Sequence, residues 1–258
     1  DITRVNTVCM EEDCYSDGTK VRITKKFKTG NNIRIKGEDV KKKKRIFLSG
    51  RKIRSIDLAQ LSSIGVKKIK VFKKIRVGIF SSGDELCEFP KKKSKYEIYD
   101  ANKIVLVSLF KKIGCEVNDL GIIKDDYSET KKLILNKIKS LDVIITSGGI
   151  SKSKTDKIGK FFESTAQIKF WRLSIKPGRP FAFGKIKNTP FIGLPGNPVA
   201  AIITFFMLVI DYIKVLSGLK EKQTIERILP CDFEMKKRKG RTEWLRGMII
   251  KKKNLYFL

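Results

Sequence analysis

Three carboxylates, Glu85, Asp125 and Asp156, each stand in or beside a polar loop that follows a strand-like apolar run. A hard cation such as Mg²⁺ takes a few carboxylates together with water and phosphate oxygens, so the three jointly suit such an ion. Taken singly, each is more often a helix N-cap or a surface charge. Lys176 and Arg172 lie four apart around a short strand, a spacing that puts both on one face, suited to an anionic ligand. The chain has no His. Without the usual general base and the commonest zinc ligand, acid–base and metal chemistry falls to carboxylates, Lys and hydroxyls.

Two further segments have the composition of ligand loops. In Thr146-Ser147-Gly148-Gly149-Ile150-Ser151 the glycines let the backbone approach a ligand, and Ser147 and Ser151 offer hydroxyl donors. In Phe191-Ile-Gly-Leu-Pro-Gly-Asn-Pro-Val-Ala200 an apolar strand breaks at Pro195-Gly196, Asn197 can cap a helix, and Pro198 suits its first position. A helix begun this way points free N–H groups at the loop, where an oxyanion could sit.

These loops need a scaffold. From Ile75 onward, apolar strand-like runs alternate with amphipathic stretches, the pattern of a sheet flanked by helices. Strands are predicted at Arg76–Phe80, Glu116–Leu120 and Asp142–Thr146 and near Phe170, Phe181 and Phe191. Helices are predicted at Ala101–Ile113 (capped by Asp100), Ser128–Ile138 and Thr155–Glu163, and from Val199. In such α/β folds ligands bind beyond the carboxyl ends of the strands, so the loops should share one crevice. Before this domain, residues 1–36 read as a β-rich unit with strand-like runs Val5–Met10 and Lys20–Phe27. Residues 37–74 read as a connecting segment with a helix Ser55–Ile64 ended by Gly65. The α/β domain is assigned to 75–221, and 222–258 to the start of a β domain.

The formal charge of +30, from 57 Lys and Arg against 27 Asp and Glu, is scattered and mostly Lys. No nucleic-acid motif accompanies it, so a solvated surface is expected and nucleic acid is not. Five Cys without a Cys-x-x-Cys pair read as buried reduced thiols. The charge-free run Val199–Ile210 is shorter than the roughly 20 residues a bilayer requires. With no signal peptide at its start, the chain is expected to be cytoplasmic, without a membrane partner.

The order of the motifs resembles one family. The blocks are Asn31–Asp39, Val77-Gly-Ile-Phe-Ser-Ser-Gly-Asp-Glu-Leu86, Ile98-Tyr-Asp-Ala-Asn102, Leu120–Asp126, Asp142–Ser151, Ile175-Lys-Pro-Gly-Arg-Pro-Phe-Ala-Phe-Gly-Lys185 and Gly193–Pro198. Together they resemble the MoeA family of molybdopterin molybdenumtransferases, relatives of the gephyrin E domain. The resemblance implies a three-layer molybdopterin-binding α/β domain with partial β-rich flanks. It implies insertion of molybdate into adenylylated molybdopterin, with release of AMP and with Mg²⁺ as helper. On that pattern Glu85, Asp125 and Asp156 hold Mg²⁺ and position molybdate, and Lys176 and Arg172 bind the anionic substrate. Pro195, Gly196, Asn197 and Pro198 shape the turn beneath it. Ser147, Gly148, Gly149 and Ser151, with Ser82, Gly83 and Asp84, line the pterin or nucleotide site. It also implies a homodimer in which Arg34, Glu38 and Asp39 act in trans, and contact with a molybdopterin adenylyltransferase.

Some features depart from the family pattern. Ser153 and Lys154 stand where the family has Gly and an acidic residue, restricting the loop and reversing a charge beside Asp156. The chain begins inside the family's second domain and ends partway into its carboxyl-terminal β domain. The alternatives are accordingly an adenylyltransferase acting on molybdopterin and a truncated, non-catalytic binder.

Overall fold

The computed structural model describes residues 5–124, 126–150, 157–220, 227–237, 239–252 and 255–257. The chain divides into two compact units, 1–49 and 50–258.

In the first unit, strands β1 (Cys14–Ser16) and β2 (Val21–Ile23) pair antiparallel after a 3₁₀ turn at Glu11–Asp13. The Val5–Met10 run forms no strand. Isolated bonds hold it instead: the Val8 N–H donates to Asn31 O, and the Asn32 side chain donates to Val8 O. These bonds satisfy the backbone at single points without a ladder, so the β-prone composition is not expressed as sheet.

The second unit opens with helix α1 (Ser55–Ser63), after which Gly65 takes a φ of +74°. Its main sheet contains β3 (Arg76–Ser82), β6 (Glu116–Ile123), β7 (Val143–Ser147), β8 (Ala166–Arg172), β10 (Pro180–Ile186) and β11 (Thr189–Leu194). Short strands β4 (Leu86–Cys87), β5 (Ile98–Tyr99) and β9 (Ile175–Lys176) lie between them. The order across the sheet is β6-β3-β7-β11-β10-β8. The first four are parallel, and β10 runs antiparallel to both neighbours.

Side-chain alternation sets the layers. Val77, Ile79, Val143, Ile145, Ile192 and Leu194 face α2 (Ala101–Lys112) and a long helix that starts at Pro198. Phe80, Ile144, Ala182 and Phe191 face the other way, toward α3 (Tyr127–Lys137) and α4 (Lys157–Thr165). The result is a three-layer α/β/α domain. Asp100, Asp126 and Asn197 cap α2, α3 and the long helix through side-chain oxygens.

The long helix comprises α5 (Pro198–Thr204), a π-helical turn (Phe205–Val209) and α6 (Ile210–Leu216). The Val199–Ile210 run is thus part of a 19-residue helix that is long and apolar enough, by length and composition alone, to cross a membrane. Ala201, Phe205, Val209 and Ile213 are buried in the core under α2, which accounts for the apolar face. Beyond it come β12 (Thr242–Glu243), parallel to β9, and the hairpin of β13 (Ile250–Lys252) and β14 (Leu255–Phe257).

Two expectations from the sequence are revised, the shared strand face of Arg172 and Lys176 and the burial of all five thiols. Arg172 ends β8 while Lys176 lies in β9, so the two do not share one strand face. Lys176 pairs with Glu243 of β12 at 3.3 Å. Among the cysteines only Cys87 and Cys115 are buried, whereas Cys9 and Cys14 are half-buried and Cys231 is exposed. All five are free thiols.

Candidate functional site

From β3 the chain crosses through α2 to β6 on one side, and then through α3 to β7 on the other. The strand order therefore reverses between β3 and β7, where the carboxyl ends of neighbouring strands leave a crevice that packing cannot fill. A cleft of about 360 Å³ opens there.

Its wall after β3 is Ser82, Gly83 and Glu85; after β7 it is Ser147, Gly148 and Gly149; after β11 it is Gly196 and Pro198. These predicted residues are brought together. Gly148 has a φ of +85°, and a Cβ there would lie 2.5 Å from Ser82 O. Only glycine lets the β3 and β7 loops approach so closely. Gly149 also has a positive φ, +64°. Gly83 plays a different part, because a Cβ on it would meet the Glu85 carboxylate at 2.6 Å. The carboxylate therefore folds back over the glycine while Glu85 itself stays exposed.

Part of the expected anion site is already occupied. Asn197 accepts the Ala200 N–H at 3.1 Å, and Pro198 has no N–H to give. The first turn of α5 is left with the Val199 N–H. The Gly148 N–H donates to Leu194 O at 3.2 Å. The helix start is thus largely self-capped, and polar recognition falls more heavily on side chains.

The sequence reading missed several of those side chains. Asn102 lines the cleft and donates through Nδ2 to Ser147 Oγ and to Gly196 O, both at 2.7 Å. A carbonyl oxygen only accepts, so the second bond fixes which end of the carboxamide is nitrogen. One side chain from α2 thereby ties the β7 loop to the turn after β11. Asp100 is buried; its Oδ1 caps Lys103 N, while its Oδ2, Asn102 Oδ1 and Ser81 Oγ are buried with no hydrogen-bond partner among the described residues. Trp171 donates from Nε1 to Ile150 O at 2.6 Å, anchoring the end of the Gly-Gly loop. The signal for Asn102 was present in the Ile98–Asn102 motif, but no spacing rule distinguishes a bridge from a helix-start polar residue.

Lys103, only 5% exposed, pairs with Glu88 and lies 3.4 Å from Asp119. Burial works against its charge, but the Glu88 and Asp119 carboxylates outweigh this and raise its pKa. It pins the loop before α2 to β6.

The other predicted residues are placed as follows. Asp84 and Arg172 are exposed, Pro195 is buried at the end of β11, and none of the three lines the cleft. Lys176 is also outside its lining. Asp125, Ser151, Ser153, Lys154 and Asp156 lie outside the described residues. In the first unit, Arg34 pairs with Asp39 at 2.9 Å on an exposed turn, where Glu38 accepts the Ile35 N–H. Among the described residues no three metal-ligating side chains cluster, so the described part alone does not make a Mg²⁺ seat.

Comparison with known proteins bears on this geometry. The model of a probable molybdopterin binding domain matches residues 78–215, and that of the MoeA N-terminal region (domains I and II) matches residues 3–65. A molybdopterin molybdenumtransferase of Haemophilus influenzae is 39% identical over 245 residues, covering 94% of this chain and 60% of that protein. A molybdopterin molybdenumtransferase of a Nostoc species is 30% identical, covering 83% of this chain and 50% of its own length. The chain therefore spans about half to three-fifths of these relatives. The crystal structure of the molybdopterin biosynthesis MoeA protein of Pyrococcus horikoshii superposes with a TM-score of 0.77 at 26% identity, covering 98% of this chain and 61% of that one. The binding-domain match takes in every loop of the cleft and more than half of the chain, and the amino-terminal match precedes it: the chain belongs to the MoeA family.

Proposed function

We propose that this chain inserts molybdate into adenylylated molybdopterin, releasing AMP, in the synthesis of molybdenum cofactor. The observation that carries the reading is the convergence of the β3, β7 and β11 loops on one cleft at the strand-order reversal, each loop belonging to a separate family motif. In this reading Ser147, oriented by Asn102, donates its hydroxyl proton to the ligand. Gly148 and Gly149 admit the ligand close to the backbone, and Gly196 and Pro198 form the floor. Lys176 and Arg172 draw the anionic substrate from outside the lining, and Glu243 keeps the Lys176 ammonium in place until an anion competes for it.

Glu85, with Asp125 and Asp156, would hold Mg²⁺, which when bound would neutralise phosphate and molybdate charge. Glu85 is the member of this set whose place beside the cleft is described. The chain acts as a homodimer in the cytoplasm, with Arg34, Glu38 and Asp39 of one copy serving the other copy's cleft, and it receives its substrate from a molybdopterin adenylyltransferase.

The test is to mix purified chain with adenylylated molybdopterin, molybdate and Mg²⁺, and to follow AMP release and cofactor formation. Release of both supports the reading. Pyrophosphate release from ATP and molybdopterin would replace it with an adenylyltransferase. Pterin binding without turnover would leave a non-catalytic binder, and no pterin binding at all would sink all three.

A further inference from the structure

Glu85 sits in a loop whose backbone is held at each successive carbonyl. Gly83 O accepts the Leu86 N–H at 3.2 Å, and Glu85 O accepts the Ile98 N–H at 2.8 Å. The two carbonyls on either side of Glu85 are taken by one ammonium: Lys124 Nζ donates to Asp84 O at 2.9 Å and to Leu86 O at 3.2 Å. The same ammonium lies 3.7 Å from Glu97, whose carboxylate accepts the Ser94 N–H at 2.8 Å. Lys124 stands just past the carboxyl end of β6, at the far side of β3 from the β7 loop, and the next residue in the chain is Asp125.

A lysine ammonium has three donors and no acceptor; two of them go to the backbone carbonyls, and the Glu97 carboxylate stands beside the charge as an ion partner at 3.7 Å. Such a set serves no obvious folding purpose on a surface, because water would satisfy exposed carbonyls equally well. Lys124 is half exposed. What the contacts do accomplish is geometric. With both flanking carbonyls fixed from outside and the Gly83 Cα beneath, the Glu85 peptide has little freedom to turn, and its carboxylate stays folded toward the cleft. The loop after β6 and the loop after β3 are thereby joined through one side chain.

We infer that Lys124 is a positioning residue, a clamp that holds the Glu85 carboxylate in the cleft and couples it to the loop that carries Asp125. The inference rests on the reading of Glu85 as the working carboxylate of the cleft, but its structural half can be measured without that reading. Lys124→Met removes the three donors and keeps the aliphatic stem, and Lys124→Arg restores a cation with several donors.

Backbone hydrogen exchange on the full chain is the first arm. In Lys124→Met the Leu86 and Ile98 amides exchange about tenfold faster, while amides of β3, β7 and α2 keep their rates and Lys124→Arg recovers most of the protection. Unchanged exchange at Leu86 and Ile98 would overturn the clamp, as would equal acceleration throughout the domain, which marks general destabilisation. The second arm titrates Mg²⁺ and molybdate, and separately molybdopterin, onto each variant. The expected result is an apparent affinity for Mg²⁺ and molybdate weakened about tenfold in Lys124→Met, with pterin affinity changed less than about twofold. Equal weakening of both, or of neither, would overturn the coupling to Glu85. If the unaltered chain takes up neither pterin nor molybdate, the functional reading fails and with it the coupling to Glu85, while the exchange arm still decides whether Lys124 clamps the loop.

Discussion

Gly148 shows most directly how a single residue type makes the cleft possible. Its φ of +85° and the 2.5 Å approach of a would-be Cβ to Ser82 O mean that Gly148→Ala must strain the loop and push β3 and β7 apart, because the obstacle is backbone and cannot rotate away. The expected cost is about 2 kcal/mol or more in denaturant unfolding, together with loss of molybdopterin binding. Ser81 gives the contrasting case. Its hydroxyl is buried and has no hydrogen-bond partner among the described residues, so Ser81→Ala should be neutral or stabilising by up to about 1 kcal/mol. Asn102→Ala, by contrast, breaks the bridge from α2 to Ser147 and Gly196 and should lower pterin affinity. A Ser81→Ala variant less stable than the parent would mean that the hydroxyl has a partner in solution. The glycines were legible in the sequence because their freedom is a property of the residue alone. Asn102 was not, because a bridge depends on three elements meeting, and local spacing is silent about that.

The helices and parallel strands followed the sequence to within a few residues, since caps and apolar alternation are local and Asp100 and Asn197 advertise two of the helix starts. Removing the last cap, Asn197→Ala, should cost about 1 kcal/mol and free the Ala200 N–H, weakening the turn that floors the cleft. Less legible were segments whose backbone is satisfied by distant partners. Val5–Met10 answers to the turn around Asn31 and forms no ladder, and Arg172 and Lys176 fall on two strands because the chain turns at Leu173-Ser174. The packing of α2 and the long helix on β3 and β7 supplies a further test. Cys115 begins the run into β6 within that core, and burial pushes its thiol up to about 11. A raised folded-state value means that the thiol keeps its proton while the unfolded chain loses its own near 8.5. Stability from this site is therefore complete below about pH 8.5 and is lost as pH rises toward 11. Chemical denaturation across that window should show a steeper decline for the parent than for Cys115→Ala. Parallel declines would show that the thiol titrates normally.

Across the whole molecule the charge of +30 acts on two processes with opposite signs. Like charges spread over the surface of each folded unit repel each other, so screening should stabilise the folded state. Local pairs such as Arg76–Asp142, which joins the starts of β3 and β7 at 2.8 Å at the end of the sheet away from the cleft, pull the other way. Arg76 holds the Asp142 carboxyl below its usual range, and screening would weaken that attraction. Short-range pairs are screened less than repulsions across distances longer than the roughly 8–10 Å Debye length of physiological salt, so repulsion should dominate. The melting temperature is thus expected to rise between low salt and about 0.5 M NaCl, where the Debye length falls to a few ångströms. Capture of an anionic ligand depends on the same field, which raises its local concentration and its association rate. That rate should fall over the same salt range, while the dissociation rate, set by contacts inside the cleft, changes little. Stopped-flow binding of molybdopterin alongside thermal melts would separate the two. A melting temperature that falls with salt would assign the surface charge to stabilising networks, and an association rate indifferent to salt would remove the basic surface from any part in substrate capture.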